Sequence, residues 1–353
     1  MTRRLLLVAA LAVAIVLGNA DPASAHAVAG VAPTNYRSEL TDVAPAYAWV
    51  HVTILDLGRR IRLTNTGAAE ITVLGYDNEP YLRVGPDGVF ENLHSPARYL
   101  NQPTKLSPTT PTTLPNIADP TTTPQWRKVS SATTVTWRDR RTRWEGSPPR
   151  VVTADEHRSH VAATWTIPLR YADSPMSISG RIVWEPPPRV WPVALVATLL
   201  FALTLTAALT RRWATLLRVA LATVVAVDVV QAVAAALARH DASGAMVRRI
   251  VLGGFVDTVA WLVAIVALGE LDRRTSSGVI GAGVAGLAIS GVSGYRSLAT
   301  LTHSQVPSVA PAVVARFAVG ITLGLGVGLG VATLLVIARG EARATPSPIT
   351  DSQ

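Results

Sequence analysis

Hydrophobic residues form short segments before residue 185 and long uninterrupted runs after it. The clearest run covers residues 191–209, which carry no charge and are followed by Arg211 and Arg212. An α-helix needs about 20 apolar residues to cross the hydrocarbon core of a bilayer. The sequence therefore predicts a transmembrane helix here, between an all-β part and a helical membrane part.

Five segments in the second half have the length and apolarity of transmembrane helices. They predict a five-helix transmembrane domain at 189–340 and a cytoplasmic tail at 341–353. The flanking arginines are nearly balanced between the two sides, so the orientation depends on the N-terminal segment and on the number of spans. The predicted spans are residues 191–209, 219–238, 250–268, 278–295 and 317–338.

The N-terminus has the layout of a secretory signal peptide. Arg3 and Arg4 precede a short apolar run, and Ala23, Ser24 and Ala25 are the small residues expected at a cleavage site. Cleavage of residues 1–25 would make His26 the first residue of the mature chain. We expect a multi-pass plasma-membrane protein with an extracytoplasmic N-terminal domain and a cytoplasmic C-terminus.

Residues 26–188 contain several short segments that are rich in β-branched and aromatic residues, separated by turn residues. This spacing predicts an extracytoplasmic, sandwich-like all-β domain with antiparallel strands. Residues 85–88 predict a hairpin turn, and the Thr/Pro-rich stretch 103–124 predicts an exposed loop. The predicted strands are 47–55, 61–65, 70–76, 81–84, 89–92, 126–129, 133–138, 160–171 and 176–185.

Composition restricts the chemistry and the partners. The chain has no cysteine, which excludes disulfides, thiolate catalysis and Cys-ligated zinc. Its formal charge is +9 at pH 7, but the arginines are scattered. Membrane lipid, or an envelope protein or polymer, is therefore a more plausible partner than nucleic acid. No nucleophile elbow, P-loop or His-Glu-x-x-His motif is present, so we do not expect an enzyme.

Polar residues inside the predicted spans are candidates for function. Asp228 and Gln231 lie three residues apart on one helix face, Asp257 lies in the next span, and His303 follows the fourth. A carboxylate at the bilayer centre costs about 3 kcal/mol on insertion scales, so it usually faces the bundle interior or a wet cavity. One hypothesis is an ion or proton path in which Asp257 faces Asp228. The alternative is an interhelical hydrogen bond that fixes the bundle, with Asp257 protonated.

The last span also contains Gly320, Gly324 and Gly328 at intervals of four residues. Small residues at this spacing allow two helix backbones to approach closely in lipid. The pattern predicts tight helix packing and indicates no substrate.

His26 suggests a metal site, because a free α-amino group and the imidazole of the same residue can chelate Cu(II). Asp155 and His157 would be the further ligands. The alternative is a frayed terminus and a solvated polar turn. The cofactor is therefore unknown, with copper as the candidate.

The segment 137–144 alternates arginines with aromatic residues and begins and ends with tryptophan. It predicts either a binding stripe for an anionic polymer or lipid, or a solvated strand end on which arginine stacks over tryptophan.

The runs 75–92 and 95–101 resemble a family of uncharacterised actinobacterial membrane proteins. That resemblance implies a signal peptide, a mature start at His-Ala, an outer β domain and a helical bundle, and no activity. The layout also resembles fused copper-resistance proteins of the CopC/CopD type. This implies that Asp155 and His157 correspond to the Asp-x-His pair of the copper-binding sandwich. Relatives in the first family are expected to carry several histidines in the 137–144 segment, where this chain has Arg138, Arg140 and Arg143.

The sequence leads to three functional hypotheses. The first is extracytoplasmic copper handling, with His26, Asp155 and His157 as ligands and Asp228, Asp257 and His303 along a path. The second is a non-catalytic envelope module whose outer domain binds a partner protein or wall polymer. The third is a transporter or enzyme subunit that uses the buried acids.

Overall fold

A computed structural model describes residues 31–101, 114–238 and 255–340. These residues belong to two compact units, an antiparallel β domain at Thr34–Pro187 and a helical unit that starts at Pro188. The predicted order, a β domain followed by a helical region with long apolar helices, is confirmed. The signal peptide, His26, part of the Thr/Pro-rich loop, the start of the third span and the C-terminal tail lie outside the described residues.

The described part of the β domain contains two sheets. The larger has the strand order β1-β10-β9-β4-β5-β6-β7 and the smaller the order β2-β3-β8. Every strand pair is antiparallel. The strands are β1 (Tyr36–Ala44), β2 (Val50–Leu55), β3 (Arg60–Asn65), β4 (Ile71–Leu74), β5 (Pro80–Gly85), β6 (Gly88–Asn92), β7 (Trp126–Ser130), β8 (Thr134–Arg138), β9 (His160–Tyr171) and β10 (Ser174–Trp184).

Both sheets contribute to one hydrophobic core. Ile61 and Leu63 of the small sheet and Ile71, Ile167 and Ile178 of the large sheet are completely buried. Burying a side chain of this size contributes about 1.5–3 kcal/mol. Because the chain has no disulfide, this shared core stabilises the sandwich.

The predicted hairpin is present, since Gly85 pairs with Gly88 across the β5–β6 turn. Sequence patterns missed β1, an edge strand that pairs with β10 and has a bulge between Leu40 and Asp42. This strand is mostly polar and exposed, so it lacks the apolar alternation that identifies a half-buried strand. Two short helices, α1 (Pro96–Leu100) and α2 (Arg150–Ala154), connect strands.

Four helices of the second unit are long and apolar enough to cross a membrane. These are α3 (Trp191–Ala208), α4 (Trp213–Leu237), α6 (Ser276–Ile289) with its π-helical extension Ser290–Gly294, and α8 (Ala312–Ala338). A fifth long helix among the described residues, α5 (Phe255–Asp272), is not one of these four, because its 18 residues include three carboxylates, Asp257, Glu270 and Asp272. A short helix, α7 (Leu298–Thr302), precedes α8.

The glycines of α8 pack against α3, as their spacing predicts. Gly320 lies against Val193, Gly324 against Ala197 and Gly328 against Thr204, so the two helices run parallel. A Cβ atom on Gly324 would come within 2.4 Å of the Ala197 carbonyl oxygen, which explains why a larger residue is excluded.

Helix α5 packs in the bundle beside α4 and α6. Gly278 at the start of α6 contacts Glu270 and Leu271 near the end of α5, so these two helices are antiparallel. Arg218 pairs with Asp272, and Asp228 bonds to Trp261, so α4 and α5 are also antiparallel. Together with the antiparallel packing of α6 on α8, each long helix that the structure describes runs opposite to the described long helix before it.

Candidate functional site

Two polar side chains from other helical segments, those of Trp261 and Ser293, bond to Asp228 of α4. Its side chain is buried, and the residue is only 1% exposed. The indole Nε1 of Trp261 on α5 donates to Oδ2 at 2.8 Å, and the hydroxyl of Ser293 donates to Oδ1 at 2.5 Å. One carboxylate therefore joins α4, α5 and the π-helical segment.

A second carboxylate lies beside the first. Asp257 is one helical turn before Trp261 on α5, and Arg296 Nη1 lies 3.4 Å from its Oδ2. Asp228 bonds to Trp261, one turn along α5 from Asp257, and is close enough to Asp257 for the two carboxylates to interact electrostatically. We call Asp228, Asp257, Trp261, Ser293 and Arg296 the acid cluster.

The π-helical segment Ser290–Gly294 places Ser293 in this cluster. A π-helical turn adds a residue to the ordinary helical repeat and is frequent at functional sites. Gly294 packs directly against Leu323 of α8, which leaves no room for a side chain. This segment could not be predicted from the sequence, because small apolar and hydroxyl residues are compatible with a regular helix.

The acid cluster has fewer positive than negative charges. It contains two carboxylates and one guanidinium, and the two donors to Asp228 are neutral groups. Within the part of the chain that the structure describes, no cation pairs with Asp228. Oδ1 of Asp257 and the hydroxyl of Thr258 are also buried, and neither has a hydrogen-bond partner among the described residues. Buried charges require compensation, so the cluster can accept one further positive charge.

The cluster lies nearer to one end of the bundle. Asp228 is nine residues before Leu237, a distance of about 14 Å along α4 at 1.5 Å per residue. Asp257 is close to the described start of α5, and Arg296 follows the π-helical segment. The Asp257–Arg296 pair is therefore closer than Asp228 to the end at which α4 stops.

Gln231 belongs to a neighbouring contact. Its Nε2 lies 3.4 Å from Thr322 Oγ1 on α8, and the Thr322 carbonyl accepts a 2.9 Å hydrogen bond from Ser290. Gln231 thus ties α4 to α8 one turn away from the carboxylates.

His303 lies apart from the acids. Its ring Nδ1 is 2.8 Å from the Ala299 carbonyl oxygen, at the end of α7. Arg316 donates to the carbonyl oxygens of Thr300, His303 and Ser304, which fastens this loop to α8. The path predicted through His303 has no direct contact with the acid cluster among the described residues.

The proposed copper ligands Asp155 and His157 lie in an exposed turn after α2. Asp155 Oδ1 accepts a hydrogen bond from the His157 backbone, and Arg158 lies 3.4 Å from Oδ2. His160 Nε2 is 2.6 Å from the Asp155 carbonyl oxygen. Among the described residues, no three His, Asp or Glu side chains are grouped to hold a metal ion. Because His26 is outside these residues, the copper site stays a prediction.

In the β domain, the runs 75–92 and 95–101 and the segment 137–144 form one network of hydrogen bonds and ion pairs. Arg141 pairs with buried Asp139 at 2.8 Å, donates to the carbonyl oxygens of Leu74 and Gly75, and stacks over Tyr76. The Tyr76 hydroxyl donates to Asn101 Oδ1 and accepts from the Arg140 backbone. Burial, reinforced by Asp139, raises the pKa of Tyr76 to about 12.

Glu79 anchors the other half of this network. It is 3% exposed and accepts hydrogen bonds from the Ser95 hydroxyl and from the backbone of Asp77 and Ala97. All of these donors belong to the runs 75–92 and 95–101. We interpret the runs as a structural unit, because the buried carboxylate of Glu79 is satisfied by donors within them.

Comparison with protein-family models, curated proteins and solved structures gave no match. The resemblances noted in the sequence therefore stay expectations, and function has to be argued from the acid cluster.

Proposed function

We propose that the protein is a multi-pass plasma-membrane protein with an extracytoplasmic β domain, and that its five-helix bundle binds and releases a proton at the acid cluster. The charge imbalance carries this proposal: of two neighbouring carboxylates, Asp257 pairs with the guanidinium of Arg296, whereas buried Asp228 has only neutral donors. A proton on either carboxylate would neutralise the cluster. Proton relays in pumps and transporters use buried acids in this way.

The alternating helix directions support α5 as a fifth span. Its carboxylates are placed at its two ends, with Asp257 near the start and Glu270 and Asp272 near the end, whereas the segment between them is apolar. Ala260, Ala264 and Ala267 of that segment are buried in the core of the helical unit. A helix of this kind can span a bilayer, because its charged residues lie near the interfaces or inside the bundle.

Five spans and an N-terminal signal peptide would place the end of α4 and the start of α5 on the extracytoplasmic side. The acid cluster would then lie nearer to that side. Asp257 beside Arg296 would be the outer proton acceptor, and Asp228 would be the inner one. The proposal assigns no catalytic reaction to the protein.

Ser293 and Trp261 would act as positioning residues. They donate to both oxygens of Asp228 and stabilise its ionised form, whereas a proton on Asp228 must displace or reorient one of these donors. Because Ser293 lies in the π-helical segment, protonation of Asp228 would be coupled to the conformation of that segment.

Infrared difference spectroscopy of the protein in lipid vesicles can test the proposal, because a protonated carboxyl group has a C=O band that a carboxylate lacks. We expect a carboxyl band that appears as the pH is lowered from neutral to mildly acidic. Asp228→Asn or Asp257→Asn should remove or shift it. Asp272→Asn is the matched control, because Asp272 is 55% exposed and paired with Arg218 at the other end of α5.

A band that is retained in both cluster variants, or one that disappears only in Asp272→Asn, would overturn the proposal. A band that does not change with pH would favour the structural alternative, in which a permanently protonated carboxyl only links the helices. Proton uptake by vesicles containing the protein then distinguishes transport from local protonation.

A further inference from the structure

Four arginines come together on the outer domain at one end of the small sheet. Arg60 of β3 is the direct cross-strand partner of Arg138 of β8. Arg59 immediately precedes β3, and Arg143 follows the turn after β8. We call these four residues the arginine cluster. Like charges directly opposite each other destabilise a strand pair, so the arrangement requires a compensating interaction.

The electrostatic environment supports this close approach. Burial, together with repulsion from Arg143 and Arg138, lowers the pKa of Arg59. Burial, together with repulsion from Arg143 and Arg60, also lowers the pKa of Arg138. The guanidinium groups of the arginine cluster therefore lie close enough to repel one another.

Two carboxylates face the cluster and both are already paired. Asp56 forms an ion pair with Arg60, and Glu145 forms one with Arg143. Glu145 is also 3.7 Å from Arg140. Arg138, which is half-buried, forms no ion pair within the part of the chain that the structure describes. The buried Nε of Arg143 likewise has no hydrogen-bond acceptor there.

We propose that the arginine cluster is a binding site for a phosphate group, with Arg138 and Arg143 as its principal donors. The guanidinium group is planar and presents several N–H donors in a fixed geometry that matches an oxyanion. The phosphate can belong to a free inorganic anion or to a lipid headgroup. This site is separate from the acid cluster and does not depend on proton binding.

The site can be tested with the full-length protein in detergent and two soluble probes. Inorganic phosphate represents the free anion, and glycerophosphoglycerol represents the deacylated headgroup of phosphatidylglycerol. Binding is measured by calorimetry and by the shift in the unfolding midpoint, against sodium chloride at equal ionic strength. Arg138→Gln should weaken binding at least about tenfold, as expected for one charged hydrogen bond. Tighter binding of the second probe identifies the lipid headgroup as the source.

Arg150→Gln is the matched control, because Arg150 is an exposed arginine on α2 of the same domain. Without a probe, Arg138→Gln should fold at least as stably as the parent, since it removes the repulsion from Arg60. Arg143→Gln provides a second variant with the same expected loss. The proposal is wrong if neither probe binds the parent protein, or if Arg138→Gln and Arg150→Gln bind both probes equally.

Discussion

The indole Nε1 of Trp261 donates a 2.8 Å hydrogen bond to Oδ2 of Asp228, and this contact joins α5 to α4 inside the bundle. Ser293 occupies the other carboxylate oxygen from the π-helical segment. This buried carboxylate is held by two neutral donors, and the Asp257–Arg296 ion pair lies beside it. The carboxylate of Asp228 therefore contributes to the packing of the bundle and is also a proposed proton-binding group.

Replacing Trp261 with phenylalanine should destabilise the bundle, because the ring is largely kept while the donor to a buried carboxylate is lost. The expected cost is about 1.5–3 kcal/mol, the range for a hydrogen bond to a charged group. Thermal unfolding of the full-length protein in detergent measures it. Trp191→Phe is the control, since Trp191 is 62% exposed at the start of α3. Equal shifts in the two variants would mean that the indole bond contributes no stability.

The four long apolar helices could be predicted from composition, because a span requires only a long apolar segment. Helix α5 shows where this rule reaches its limit: its three carboxylates make it resemble a soluble helix, although it packs between α4 and α6. Asp228 and Asp257 could be identified as candidates because any acid in such a segment is unusual.

The side chains that contact Asp228 and Asp257 could not be predicted from the sequence. Trp261, Ser293 and Arg296 are ordinary residues in the sequence, and only the antiparallel packing of α4, α5 and α6 brings them to the acids. The arginine cluster has the same origin, because Arg60 and Arg138 are 78 residues apart and meet only through the β3–β8 register. Local patterns report periodicity and burial, whereas these sites depend on long-range pairing.

Gly324→Ala tests the close contact between α8 and α3. The new Cβ would lie 2.4 Å from the Ala197 carbonyl oxygen, so the two helices must separate and lose packing. We expect destabilisation by about 1–3 kcal/mol, the usual cost of overpacking. The unfolding midpoint of the full-length protein provides the measurement.

Gly269→Ala is the matched control for this substitution. A Cβ on Gly269 of α5 meets no atom within 4 Å, and alanine is the better helix former by about 1 kcal/mol. This variant should be as stable as the parent or more stable. If Gly324→Ala behaved like Gly269→Ala, the α3–α8 contact would not be tight.

The raised pKa of Tyr76 predicts that the β domain loses stability at alkaline pH. Its pKa is raised from 10.0 to about 12, chiefly by burial, so the unfolded chain releases this proton before the folded one does. The contribution is fully present below the unfolded pKa and is lost as the pH rises from 10.0 to about 12. Burial also raises the pKa of Tyr81, which acts in the same direction.

Tyr76→Phe should reduce this alkaline loss while lowering stability at neutral pH by about 0.5–1.5 kcal/mol, because the bond to Asn101 is removed. Unfolding midpoints of the full-length protein across the alkaline range, read together with tyrosinate absorbance, measure both effects. Tyr295→Phe is the control, since Tyr295 is half-exposed in the helical unit. An identical pH profile for the parent and Tyr76→Phe would contradict the assignment.

The copper hypothesis makes a prediction that depends on the first residue of the mature chain. If the signal peptide is removed after Ala25, the α-amino group and the imidazole of His26 can chelate Cu(II) together. Intact mass of the exported protein identifies the first residue, and equilibrium dialysis measures about one copper per chain if the chelate forms. An extra residue inserted before His26 should abolish this binding, because it removes the amine from the chelate.

Asp155→Asn and His157→Gln then ask whether the exposed turn supplies further ligands. Asp155 already accepts the His157 backbone N–H and pairs with Arg158, so recruiting it to copper would require the Arg158 pair to open. We therefore expect the His157 variant to weaken copper binding more than the Asp155 variant. Copper binding that survives the insertion before His26 would show that the chelate does not involve the N-terminus, whatever the two turn variants do.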